Sequence, residues 1–215
     1  MDATRTTIKV CGVCRPEDAH AAVLAGADAI GVILASAPRQ VSLDEAGAVF
    51  EPLPPSVARV GVFVDSGAAF VEEASARLGL DYAQFHGSET PEVCATAPVP
   101  VIKAFRIGSG FHAAVVDSYR SVIAFALFDT HVTGTRGGAG VAFAWDSVLP
   151  LPGGVPIVVA GGLHAGNVAE AMRTLRPDGV DVSSGVEARL REKDPDKLRA
   201  FCEAVRAADR EETAR

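Results

Sequence analysis

Apolar residues gather into eight short runs along the chain, at residues 8–11, 29–33, 58–63, 82–85, 100–105, 123–128, 157–160 and 179–182. Each run is about 4–6 residues of nearly continuous apolar character, the pattern of parallel strands buried on both faces. Between them lie segments with helical spacing, clearest at 16–25, 43–50, 68–78, 167–175 and 194–208, with alanine, leucine or valine on one face and charges on the other. Pro16 and Pro195 stand where the first helical position tolerates a missing N–H.

One strand follows another at intervals of roughly 20–30 residues, with no Gly/Ser-rich linker between them. Strict βα repetition leaves an open doubly wound sheet or a closed barrel, and the count of eight favours the barrel. The expectation is a single-domain (βα)8 TIM barrel over residues 1–215. Its links after the fourth, fifth and sixth strands are short or irregular, and the charged tail from Asp209 is expected to fray.

Composition narrows the function classes. With 215 residues, 48% of them apolar, the chain can bury a core without metal or disulfide staples. A formal charge of −7 argues against a polyanion-binding face, so no nucleic-acid partner is expected. The longest apolar stretches, at 29–35 and 124–128, fall far short of the roughly 20 residues that span a bilayer, so no membrane partner is expected either. Residues 1–7 are polar and run straight into a strand pattern without a targeting signal, which places the chain in the cytoplasm. Cys11, Cys14, Cys94 and Cys202 are too few and too unevenly spaced for a disulfide framework. A structural zinc on Cys11 and Cys14 lacks a second ligand pair, so no metal is expected, while a redox dithiol remains open for this Cys-x-x-Cys.

In a barrel of this kind the active site forms at the C-terminal ends of the strands and in the loops that follow. Those positions hold Cys11-Gly12 after strand one, Ala37-Pro38-Arg39 after strand two and His86-Gly87 after strand four. Asp129 follows strand six, Gly161-Gly162 strand seven, and strand eight carries Asp181 and leads into Ser183-Ser184-Gly185. The last two loops let backbone N–H groups approach an anion and together form a candidate phosphate site, although such glycines also simply make tight turns. Arg39 suits a carboxylate or second phosphate through paired hydrogen bonds, or is a solvated surface charge. Asp129 ends an apolar run, where a carboxyl is expected to have a raised pKa suited to a general acid, or serves as a turn residue. Cys11 is its counterpart: a modest depression of its pKa would give a thiolate base, the alternative being an inert buried cysteine.

Read in order, Lys9-Val10-Cys11-Gly12, Ala37-Pro38-Arg39-Gln40-Val41, Gln84-Phe85-His86-Gly87, Leu127-Phe128-Asp129-Thr130, Gly137-Gly138-Ala139-Gly140 with Phe143-Ala144-Trp145, Ala160-Gly161-Gly162-Leu163 with Asn167-Val168, and 179–187 resemble the phosphoribosylanthranilate isomerase family of tryptophan biosynthesis. The resemblance runs nearly end to end and implies a (βα)8 barrel. It also implies an Amadori rearrangement of a small phosphorylated aminosugar, an aminoaldose, to an aminoketose without a cofactor. By the same resemblance, Asp129 protonates the ring oxygen as the sugar opens and Cys11 removes the proton from the adjacent carbon. Arg39 holds the anthranilate carboxylate, Gly161, Gly162, Ser183 and Ser184 hold the phosphate, and Asp181 and His86 line the pocket. The sequence does not separate a monomer from a homodimer.

Several positions depart from the family pattern. Ala37 stands where Ser is usual, Phe85 where Leu is usual, Ala139 for Thr, and Ala144 for Asp before Trp145, so the sixth βα loop is expected to differ in geometry. Leu190-Arg191 stands where Pro-Gly commonly precedes the Lys-Asp pair, here Lys193-Asp194, and a local change is expected there. Three rival readings remain: a dithiol oxidoreductase using Cys11 and Cys14, a sugar-phosphate sensor on the same barrel, and an isomerase acting on the related histidine-pathway aminoaldose. The first has no use for a phosphate cradle, the second needs neither acid nor base, and the third needs a second phosphate grip.

Overall fold

Eight parallel strands, mostly apolar, close into a barrel in sequence order in the computed structural model, which describes residues 5–107, 111–129 and 154–213. They are β1 (Thr7–Val10), β2 (Ala29–Ile33), β3 (Ala58–Phe63), β4 (Tyr82–Phe85), β5 (Val101–Arg106), β6 (Phe125–Asp129), β7 (Ile157–Ala160) and β8 (Gly179–Val182), with β8 pairing back onto β1. Side chains alternate between two cores. Ile8, Val10, Phe63, Phe128 and Val180 point outward into the layer under the helices, whereas Val60, Ile102, Leu127 and Val158 pack together inside the ring.

Three strands differ from the sequence expectation, and of these β5 is shifted by one residue, to Val101–Arg106. β1 stops at Val10 because Gly12 adopts φ +64, which turns the chain out of the extended state. Cys11 still donates its N–H to Val182 O at 2.8 Å and so stays tied to the barrel wall. β6 begins at Phe125 and reaches Asp129, which pairs in register with Arg106 of β5.

The helices are α1 (Pro16–Ala25), α2 (Leu43–Phe50), α3 (Ala68–Leu78), α4 (Pro91–Ala95), α5 (Val168–Leu175) and α6 (Pro195–Thr213). The weak fourth link holds only the short α4, and the fifth holds a 3-10 turn, Ala113–Ser118. The tail is a correction: α6 continues past Asp209 to Thr213 instead of fraying there. Its charge is employed, since Thr6 donates to Asp209 Oδ1 from both backbone N (3.2 Å) and Oγ1 (2.6 Å), and Arg206 holds Oδ2 at 3.1 Å. α6 packs between α1 and α5 and so straps the last part of the chain across the first.

A local device recurs three times. A residue in left-handed conformation, Gly26, Gly79 or Arg176, ends a helix, and two positions later an aspartate enters the next strand. Asp28, Asp81 and Asp178 each accept the N–H of a neighbouring strand's first residues, Ile8 (2.9 Å), Arg59 (2.8 Å) and Ile157 (2.7 Å). Each carboxylate satisfies a strand-end donor at the bottom of the barrel and fixes the stagger of a strand pair.

Lys103 puts a charge into the outer layer. Its buried ammonium donates to Gly87 O (2.8 Å) and pairs with the equally buried Glu89 (2.9 Å), which itself accepts from the backbone N–H of Asp65 (2.8 Å) and Gly87 (2.9 Å). The pair locks the loops after β3 and β4 onto β5. Among the described residues no helix is long and apolar enough to cross a membrane. Lys103→Met is expected to strand Glu89 as a buried unpaired carboxylate and cost about 3–5 kcal/mol, read as a lower midpoint in urea unfolding. Adding Glu89→Gln is expected to recover part of that loss.

Candidate active site

The C-terminal ends of the strands surround a cavity of about 400 Å³, and all nine candidate residues line it. The two-residue period of the strands aims them there. In β1 and just beyond it Lys9 and Cys11 face inward, in β4 and after it Gln84 and His86, in β6 Leu127 and Asp129, and from β8 Asp181 and Ser183. Arg39 enters from the β2–α2 loop. Cys14 does not join them: it packs into the outer core with its thiol on the carbonyl oxygens of Gly12 (3.6 Å) and Arg39 (3.5 Å). All four cysteines are free thiols.

The thiol of Cys11 sits in a buried ionic cluster. Lys9 Nζ bonds Asp181 Oδ1 at 2.8 Å across the β1–β8 seam, with both side chains almost fully buried. Lys193 donates to Cys11 O (2.8 Å), Ser183 O (3.0 Å) and Glu187 Oε1 (3.3 Å). Here the structure corrects the sequence expectation. Burial pushes the Cys11 thiol above its ordinary pKa, and the pull of Lys9 and Lys193 offsets this only in part because Asp181 opposes them. The ligand-free thiol is therefore protonated at neutral pH.

Arg39 is held rather than solvated. Its Nε and Nη2 each donate to Glu187 at 2.7 Å, which leaves the Nη1 edge for a ligand. Gly12 makes this approach possible, since a β-carbon there would lie 2.7 Å from Arg39 Cδ and 3.1 Å from Ser183 Oγ. Burial acts to raise the Glu187 pKa, but the Arg39 hydrogen bonds and the Lys193 charge outweigh it and hold the carboxyl below its ordinary value. Leu190 and Arg191 form the turn of a small hairpin, β9 (Glu187–Arg189) and β10 (Glu192–Lys193), where Arg191 adopts φ +69 and donates to Gln40 O at 2.5 Å. This is where the sequence departs from the family pattern. The turn thus ties the Glu187–Lys193 hairpin to the loop that carries Arg39.

On the β6 side Asp129 Oδ2 lies 3.2 Å from His86 Nε2, and His86 Nδ1 lies 3.3 Å from Gln84 Nε2. The Asp129 carboxyl faces the cavity and His86, while Phe128 turns away into the outer core. Gln84 is buried, and its Oε1 has no hydrogen-bond partner among the described residues. The candidate phosphate cradle comes from the remaining strands. Gly161 and Gly162 take φ +92 and +65, and Asn167 fixes that turn by donating to Gly162 O at 3.1 Å. A 3-10 turn, Ser184–Val186, follows β8, and its Gly185 passes so close to the loop after β7 that a β-carbon would lie 1.9 Å from Leu163 O. The loop after β6, with Ala139 and Ala144, lies outside the described residues.

Sequence reasoning missed Lys9, Gln84, Glu187 and Lys193 as site residues. A usable signal existed for two of them, because Lys9 and Gln84 are polar residues at inward positions of otherwise apolar strands. Glu187 and Lys193 act through a hairpin that periodicity does not reveal. Among the described residues no three His, Cys, Asp or Glu side chains converge as a metal site.

A closed βα barrel with a thiol, a carboxyl and an anion cradle around one mouth defines a class of sugar-phosphate enzyme site. The profile of the N-(5'-phosphoribosyl)anthranilate isomerase family matches residues 8–204. The enzyme of that name from Pseudomonas fluorescens strain SBW25 is 45% identical over 207 residues, 96% of this chain and 97% of the relative. Phosphoribosyl anthranilate isomerase from Thermotoga maritima superposes with a TM-score of 0.84 at 33% identity, covering 94% of this chain and 99% of that one. A further isomerase structure, in complex with reduced 1-(o-carboxyphenylamino)-1-deoxyribulose 5-phosphate, gives a TM-score of 0.80 at 31% identity, over 94% and 99% of the two chains. The chain belongs to the phosphoribosylanthranilate isomerase family.

Because the Glu187 pKa is lowered in the folded state, the stability it contributes is present above the ordinary glutamate pKa and is lost as pH falls through its depressed value. Denaturation midpoints of wild type are therefore expected to fall more steeply than those of Glu187→Gln as the medium is acidified below about pH 4.5.

Proposed function

We propose that this chain converts N-(5'-phosphoribosyl)anthranilate to 1-(2-carboxyphenylamino)-1-deoxyribulose 5-phosphate by general acid–base catalysis, as a cytoplasmic step of tryptophan biosynthesis. One observation carries the reading: Cys11, Asp129, Arg39 and the paired Gly161-Gly162 and Ser183-Ser184 turns line a single cavity in a member of this family. The phosphate rests on the Gly162 and Ser183-Ser184 turns, and the anthranilate carboxylate takes the Nη1 edge of Arg39. The sugar ring then lies between β1 and β6. Free buried thiols are in keeping with a reducing compartment.

Asp129 gives its proton to the ring oxygen as the bond from that oxygen to the anomeric carbon breaks, and the aniline nitrogen supplies the electron pair that forms the iminium. Cys11 thiolate removes the proton from the adjacent carbon, and that C–H electron pair becomes the enolamine double bond. Loss of the enol proton and protonation of the former anomeric carbon yield the ketone. The enzyme ends with Asp129 ionised and Cys11 protonated, and proton exchange with solvent restores the starting pair. His86 accepts or donates at Asp129 Oδ2 according to its tautomer, so it orients the acid.

The test is loss of phosphoribosylanthranilate fluorescence. Wild type is expected to turn the substrate over, and Cys11→Ser and Asp129→Asn each to lose about 10²–10⁴-fold in kcat. Cys14→Ser is expected to stay active, whereas a dithiol enzyme would lose activity with either cysteine. Since burial raises the Cys11 pKa, the rate is expected to climb with pH through the alkaline range as the thiolate fraction grows. A wild type inert toward this substrate ends the assignment.

A further inference from the structure

A thiol meant to act as a base is placed where burial opposes its ionisation, so something within the barrel must stabilise the anion. We infer that Lys9 is the counter-ion of the Cys11 thiolate, a positioning residue that Asp181 tethers from across the β1–β8 seam. The inference rests on the reading of Cys11 as the base.

Hydrogen-bond capacity selects Lys9 among the cations around the sulfur. An ammonium has three N–H donors. Lys193 directs all of its own to Cys11 O, Ser183 O and Glu187 Oε1, and so grips the backbone of Cys11 and the hairpin. Arg39 spends its Nε and Nη2 on Glu187. Lys9 gives one bond to Asp181, which leaves two N–H donors for contact with a Cys11 thiolate. β2 makes room for this contact, because a β-carbon on Gly31 would lie 3.1 Å from Cys11 Sγ and 3.1 Å from Lys9 Nζ. Sulfur and ammonium converge on the space that the missing side chain leaves.

Charge balance points the same way. Three cations (Lys9, Lys193 and Arg39) and two carboxylates (Asp181 and Glu187) surround the sulfur. With Cys11 as a thiol this cluster carries one net positive charge, and with Cys11 as a thiolate it is neutral. An uncompensated charge in a buried cluster is costly, so proton loss from sulfur settles the cluster instead of adding an unpaired anion. Lys9 also stays charged: burial lowers its pKa, but Asp181 and Cys11 more than reverse this and leave it above the ordinary lysine value. The ammonium is thus a positive pole at neutral pH.

The experiment follows the ultraviolet absorbance of the thiolate against pH, with the same titration of Cys11→Ser subtracted to remove the other three thiols. Lys9→Met combined with Asp181→Asn removes the pole without leaving a buried unpaired carboxylate, and is expected to move the Cys11 titration up by about 1–3 pH units. Asp181→Asn alone keeps Lys9 and removes the opposing charge, so it is expected to move the titration down. A purely structural role would not give opposite shifts, and Asp181→Asn alone carries the test if the double variant does not fold. In the double variant kcat at neutral pH is expected to fall about tenfold per unit of upward shift, with KM changed less than about threefold. Variants that titrate with wild type overturn the pairing. Opposite shifts together with an active Cys11→Ser keep the pairing and remove the base assignment.

Discussion

Closure of the barrel between its first and last strands is the constraint on which the site depends. The register that sets Lys9 opposite Asp181 also sets Val10 opposite Val182 and lets Cys11 bond Val182 O. Residues from the two ends of the chain therefore share one buried ionic cluster. The register also permits the ion pair to be buried at all, because two charges taken out of water are tolerated only in good geometry with their other hydrogen-bonding positions filled. The α6 strap across α1, and the Thr6–Asp209 contacts below it, hold the same seam from outside.

The cavity is chemically two-sided as a result. At the seam, lysines and a held guanidinium surround a sulfur that can ionise within a nearly neutral cluster. On the β4–β6 side a carboxyl faces an imidazole, and the Lys103–Glu89 lock beneath it fixes the loop that carries His86. The Lys9–Asp181 pair on one side and the His86–Asp129 pair on the other are built from different residues. That separation suits a rearrangement in which one group gives a proton and another takes one.

Much of this was legible before any coordinates. The bounds of α1, α2 and α3, and of five of the strands, follow from periodicity, because each alternation of apolar and polar positions reports a real buried face. The loops after β7 and β8 announced themselves through paired glycines and serines. What escaped was long-range. Asp209 read as part of a solvated tail because nothing local discloses Thr6, 203 residues away, as its partner. A depressed Cys11 pKa is the sequence expectation because the sequence does not show the extent of burial, which is the largest effect on the thiol. Lys193 and Glu187 escaped because their roles depend on a hairpin folded back over the barrel mouth.

The measurement that bears most directly on the account is a crystal structure of this chain with reduced 1-(2-carboxyphenylamino)-1-deoxyribulose 5-phosphate bound. The account predicts the phosphate on the Gly162 and Ser183-Ser184 turns and the carboxylate on Arg39. It places the first sugar carbons between Cys11 Sγ and the Asp129 carboxyl, with each within hydrogen-bond reach of the atom it serves. A ligand seated with its sugar carbons beyond the reach of either group, or with both groups on the same side of it, would contradict the account.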